Sequence, residues 1–206
     1  MAKAGSTYSQ QLTVARTALT VVDDVLDDSD VHDALTRYQP GVEALIREQM
    51  DDIAITVNAL LLQAGRFEDH QEALNKLKNA RDAVANAGRI VVDLFDIIVS
   101  ATPTSSFTRS EREARKTDLS AEKKNIQTAL SAIDTALENL LDESAAYDTK
   151  IASEEATIAS AKGDILTLET SLRTEEAQLA LERAGARQTD INVAAARVRQ
   201  ARADLA

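Results

Sequence analysis

His32 and His70 are the only histidines in this chain of 206 residues, which also lacks cysteine. Imidazole chemistry therefore rests on two residues far apart in sequence, and thiolate chemistry is absent. A structural or catalytic zinc site needs several nitrogen or sulfur ligands at short spacing, and no H-x-x-x-H pair occurs. The densest mixed cluster is Glu68, Asp69, His70 and Glu72. A ferritin-like site requires Glu-x-x-His pairs aimed into a bundle core, but the residue three before His70 is Phe67. The cluster reads instead as the acid-rich first turn of a helix, where carboxylates complement the helix dipole. Asp23, Asp24, Asp27 and Asp28 do not follow a calcium-loop pattern and read as an acidic helix end. There is no glycine-rich phosphate loop and no nucleophile motif. The expectation is a protein that is not an enzyme, with no catalytic residue, no cofactor and no metal.

The elements that would position any site are helices. Residues 109–206 contain no proline and two glycines, Gly163 and Gly185. Ile126, Leu130, Ile133, Leu137 and Leu140 alternate steps of four and three. After the polar Ser144 the phase resumes at Tyr147 and Ile151, and after Glu154 it continues through Ile158, Ile165, Leu168, Leu172 and Leu179. This narrow stripe reads as a coiled-coil oligomerisation seam. Unbroken, the segment would be a rod of roughly 145 Å; a reversal at Gly163 or near Ser144 would fold it into a helical hairpin, and the sequence leaves these alternatives open. The register slips after Leu179, before Ile191, Ala194 and Val198, so a local change of supercoil or a short break near Gly185 is expected.

Residues 1–108 use the same period in shorter pieces. Leu12, Ala15, Leu19, Val22 and Leu26 form one stripe. Pro40 is placed at the opening of a second helix, with Ile46, Met50, Ile53, Val57, Leu60 and Ala64 on its face and Gly65 as its stop. Leu74, Leu77, Val84, Val91, Phe95 and Ile98 mark a third, ended by the Ala-Thr-Pro-Thr-Ser-Ser run at 101–106. The expected fold is all-α: a short-helix bundle over 1–108 carrying an elongated coiled coil over 109–206, with the rod's first part available to complete the bundle. Three Phe, three Tyr and no Trp argue against a large single core.

Acidic residues exceed basic ones by seven in 1–108 and by four in 109–206, the wrong sign for phosphate binding. Arg183, Arg187, Arg197, Arg199 and Arg202 gather near the C-terminus, where cations suit a helix end or could dock on an acidic surface. The first residues lack the apolar core of a secretory signal, which points to synthesis in the cytoplasm. Ile90–Val99 is interrupted by Asp93 and Asp96, so a membrane partner is disfavoured. Residues 160–206, with Gln-Thr-Asp-Ile and Ala-Arg-Val-Arg-Gln-Ala-Arg-Ala-Asp-Leu, resemble the helical hairpins of periplasmic membrane-fusion adaptors, whose strand-rich lipoyl-like and barrel domains have no counterpart in this chain.

The functional expectation is a structural assembly protein. It would self-associate through the seam, as a trimer or higher homo-oligomer, and would dock and space other structural proteins of a larger particle such as a viral tail, fibre or neck, with incorporation in a virion. The alternative is a helical toxin or membrane-associated component that releases Ile90–Val99.

Overall fold

The computed structural model describes residues 2–65, 67–185 and 187–205. Six helices follow in order among the described residues: α1 Ala2–Leu26, α2 Ser29–Tyr38, α3 Val42–Leu62, α4 His70–Ser100, α5 Arg109–Arg183 and α6 Gln188–Ala203. The chain divides into two units, Met1–Ala146 and Tyr147–Ala206, so the division falls inside α5.

Local chemistry sets the helix ends of the first unit. Asp28 caps α2, its carboxylate accepting from the N–H groups of Asp30 at 2.9 Å and Val31 at 3.3 Å. Pro40 lies in the turn before α3 rather than in its first turn, and Gly41 takes φ +88°, a left-handed value that disfavours any side chain. Asp69 accepts from the Glu72 N–H at 2.7 Å while the Glu72 carboxylate accepts from the Glu68 N–H at 2.6 Å. Thr108 and Glu111 form a reciprocal capping box at the start of α5. Phe107, fully buried, pins the loop between α4 and α5, and its backbone is tied to Thr104 through both its N–H and its carbonyl.

The first unit is a compact bundle of α1, α3, α4 and the 109–146 part of α5. Tyr8 on α1 donates to the Leu60 carbonyl of α3, and Arg47 of α3 reaches Asp23 near the end of α1, so these helices are antiparallel. Lys76 of α4 meets the Gln63 carbonyl just past the end of α3, while Ile53 and Ile90 line one groove further along the pair, making α3 and α4 antiparallel as well. Arg81 pairs with Asp134 and Lys123 sits 5.5 Å over the Phe95 ring, which sets α5 antiparallel to α4. Ala4 and Leu140 line one groove and Val14 and Asn125 another, so α5 also runs antiparallel to α1. Of the pairs among α1 to α4, α1 and α4 pack most extensively. Ala15 and Ala18 of α1 and Ala73, Ala80, Ala83 and Ala87 of α4 are all buried, and such small side chains let helix axes approach closely. The scarcity of aromatic residues therefore does not prevent a continuous core; alanine supplies it by close approach, with Tyr8, Phe67 and Phe107 as the buried rings.

This architecture corrects the expected elongated bundle with a separate coiled coil. The first part of the supposed rod is the fourth helix of the bundle. Ile126 and Leu140 are 3 % exposed and Ile133 is 0 % exposed, while Leu130 and Leu137 pack half-buried on the same core. Helix α5 is unbroken through Ser144 and Gly163, so neither reversal occurs; it ends at Arg183, ahead of Gly185 at φ +69°. The apolar Ile90–Val99 stretch is committed to the core through Ile90, Val91, Leu94 and Ile98. No helix among the described residues is long and apolar enough to cross a membrane.

Candidate interaction surface

The residues with chemistry in the sequence are occupied structurally. The His70 ring nitrogen Nε2 lies 2.6 Å from the Leu140 carbonyl, to which it donates, tying the start of α4 to α5. His32 meets Glu43 at 2.7 Å. Arg47 binds Glu43, Asp23 and Asp27 at 3.0, 3.1 and 2.8 Å, and Arg115 pairs with Asp28. Asp23, Asp27 and Asp28 of the aspartate run thus belong, with Glu43, to an internal ion-pair network that joins α1, the cap of α2, α3 and α5. Burial opposes ionisation of Asp28, but the Arg115 guanidinium and the two backbone N–H groups outweigh it and hold the carboxyl below its ordinary pKa. The Lys76 ammonium and the Glu68 N–H likewise lower Glu72. No group of three or more metal-ligating side chains gathers among the described residues.

The expected seam divides into two parts. Ile126, Leu130, Ile133, Leu137 and Leu140 are used inside the chain. From Tyr147 onward every residue described is exposed, including Ile151 at 56 %, Ile158 at 53 %, Ile165 at 56 %, Leu168 at 68 %, Leu172 at 60 % and Leu179 at 46 %. Residues 151, 158, 165, 172 and 179 recur every seven positions. On an α-helix that step drifts by only about 20°, so the five form a narrow apolar row about 42 Å long. Their neighbours are charged. Between 147 and 183 there are eight acidic and four basic side chains. The arginines gathered at the C-terminal end, Arg187, Arg197, Arg199 and Arg202, are all exposed.

Sequence reasoning missed three features of this arrangement. It passed over α2, the capping box that starts α5, and Gln11, the one buried polar side chain among the described residues. Each carries a sequence signal: Asp28 before an acidic turn, the Thr-x-x-Glu spacing of 108–111, and a glutamine four residues before Ala15 and three after Tyr8. No protein-family model, curated protein or solved structure matches the chain.

Proposed function

We propose that this is a non-enzymatic helical binding protein, whose 147–183 segment receives an apolar helix of a different protein. The observation that carries the reading is the exposed row from Ile151 to Leu179. A strip one or two side chains wide and about 42 Å long is matched in shape by another helix laid along it. Covering it gains roughly 1 kcal/mol per half-exposed Ile or Leu before association costs are subtracted. The excess of acidic side chains in 147–183, concentrated on one flank of the row at Asp148, Glu155, Glu169 and Glu176, favours a partner with a basic flank and disfavours a second copy, which would bring more acidic charge to the same face.

This reading replaces self-assembly through one continuous seam, because the first five seam positions pack with their own chain. The particle and virion setting depended on that mechanism and falls with it. Release of Ile90–Val99 into a membrane would empty the bundle core.

The test titrates the full chain with a synthetic amphipathic helix carrying Leu at seven-residue spacing and Lys on its flanks, with its acidic-flanked counterpart as control. Binding of the basic peptide, lost in the Ile158→Asp, Leu172→Asp double variant while the bundle melts unchanged, supports the reading. Equal binding of both peptides, or undiminished binding by the variant, overturns it. So does sedimentation of the purified protein as a stable oligomer that the double variant dissociates.

A further inference from the structure

Helix α6 has, within the same chain, the chemistry that the row asks of a partner. Ile191, Ala194, Val198, Ala201 and, just past the helix end, Leu205 form a stripe by steps of three and four, and every one of them is exposed. Arginines stand on both sides of it. Arg197 precedes Val198 by one residue and Arg202 follows it by four, which puts them about 100° to one side and about 40° to the other.

The link between the two helices is short. Helix α5 ends at Arg183 and α6 begins at Gln188, with Gly185 between them at φ +69°. A left-handed glycine at this place ends a helix and turns the chain off its axis, and a link of a few residues suits a helical hairpin. The two stripes are symmetric about that glycine. Leu179 and Ile191 lie 6 residues either side of it, Leu172 and Val198 lie 13, and Ile165 and Leu205 lie 20. On one straight helix the 12-residue step from Leu179 to Ile191 would set the stripes about 120° apart; on a chain reversed at Gly185 it brings them face to face.

The charges agree with the same register. Glu169 and Arg202 lie 16 and 17 residues from Gly185, and Glu175 and Arg197 lie 10 and 12. Glu169 follows Ile165 by four and Glu175 follows Leu172 by three, so the two carboxylates fall on opposite sides of the row. In an antiparallel pair like positions meet like positions, which sets Arg202 beside Glu169 along one edge and Arg197 beside Glu175 along the other.

We infer that α6 folds back at Gly185 as an intrachain cover of the row, lying antiparallel on Ile165–Leu179 and leaving Ile151 and Ile158 open. The structure holds the uncovered arrangement, since every described residue of both stripes is exposed. As a regulatory device the cover rests on the reading of 147–183 as a helix-binding face: a partner helix lands on Ile151 and Ile158 and gains the rest of the row by displacing α6. Its apparent affinity is then reduced by the fraction of chains that are open.

The chain has no cysteine, so Leu166→Cys with Ala203→Cys carries one spin label on each helix, outside both stripes and at nearly equal distance from Gly185. Double electron–electron resonance on the full chain, diluted in excess unlabelled protein, should show a population near about 20 Å, from helix axes about 8–10 Å apart plus the label arms. If α6 instead runs on from α5, the separation is about 55 Å. Val198→Glu, on an exposed position of α6, should remove most of the short-distance population. Arg202→Glu should diminish it, and adding Glu169→Arg should restore it. Val198→Glu should also tighten binding of the basic-flanked peptide about twofold or more, with the melt of the bundle unchanged. Absence of a population below about 30 Å, its persistence in Val198→Glu, or failure of the charge swap to restore it overturns the cover. Equal peptide affinity in wild type and Val198→Glu overturns its regulatory role. A peptide that binds neither protein refutes the helix-binding reading of the row instead, and with it the regulatory role, while the distances still decide whether α6 closes.

Discussion

Gly88→Ala distinguishes an intrachain fourth helix from a seam that awaits other subunits. In an exposed or loosely packed helix, replacing an interior glycine by alanine stabilises by up to about 1 kcal/mol, because glycine loses more backbone entropy on folding. At position 88 the new Cβ would stand 2.7 Å from Cγ2 of Ile126, far inside van der Waals contact. The struck atom is a branch on Cβ of a stiff side chain, and Ile126 is 3 % exposed with core on its other sides. Relief therefore needs a shift of α4 against α5. Overpacking of this kind costs about 1–3 kcal/mol, which exceeds the propensity gain, so the net expectation is a loss of about 1 kcal/mol.

A double-mutant cycle isolates the contact. Ile126→Leu removes the β-branch at similar volume and should cost less than about 1.5 kcal/mol alone. Combined with Gly88→Ala it should cost clearly less than the two losses added, with a coupling of about 1 kcal/mol or more. Urea unfolding of the four proteins, with unchanged slopes, provides the assay. Stabilisation by Gly88→Ala alone, or strict additivity in the double variant, would refute the close packing of α4 on α5 and with it the assignment of 109–146 to the bundle.

The remaining predictions probe other contacts. Ile133→Asp places an unpaired carboxylate at a fully buried position and should abolish the cooperative melt of the bundle, a loss above about 4 kcal/mol, whereas Ile158→Asp with Ile165→Asp should leave the melting temperature unchanged because both side chains are more than half exposed. Asp28→Asn keeps a competent helix cap but removes the charge facing Arg115, so it should cost about 1 kcal/mol at neutral pH. Since folding depresses the Asp28 pKa, that contribution is present above the ordinary value of 3.8 and lost as pH falls through the lower folded value; stability curves of wild type and variant should converge below about pH 4. Tyr8→Phe removes the 2.8 Å hydrogen bond to the Leu60 carbonyl, yet that carbonyl still accepts from the Gln63 N–H at 3.1 Å, so thermal unfolding should report a loss near the low end of a buried hydrogen bond, about 0.5–1 kcal/mol.

The helices of residues 1–108 were legible where the apolar period ran for several turns. The Leu12–Leu26 stripe, the Ile46–Leu60 face and the Leu74–Ile98 face lie on α1, α3 and α4. Helix α2 was not, because its apolar residues Val31, Ala34 and Leu35 cover little more than one turn and its cap lies within a run of aspartates whose charge dominates the pattern. Gln11 escaped notice because the Leu12–Leu26 stripe passes beside it. The buried face of α1 is wider than a two-in-seven seam and includes Tyr8, Gln11, Ala18 and Val25 as well. The break before Gly185 was legible, since a register slip and a glycine coincide there.

What periodicity could not convey is which stretch of the stripe is covered by its own chain. Ile126 and Ile158 have the same side chain and comparable neighbours, yet one is 3 % and the other 53 % exposed. The difference comes from other helices. Gly88 leaves room on α4 for Ile126. At the level of Leu140, α4 has its capped start, with His70 donating to the Leu140 carbonyl. Helix α3 ends near Tyr8, and neighbouring positions of α1 line a groove with Asn139 and Leu140. These helices have 21 residues in α3 and 31 in α4 against 75 in α5, so α5 exceeds the length that they can cover. A period of seven marks a side of a helix, not the identity of what packs there; that is fixed by where neighbouring helices stop. The same apolar spacing is therefore core up to Leu140 and a candidate binding face from Ile151 onward.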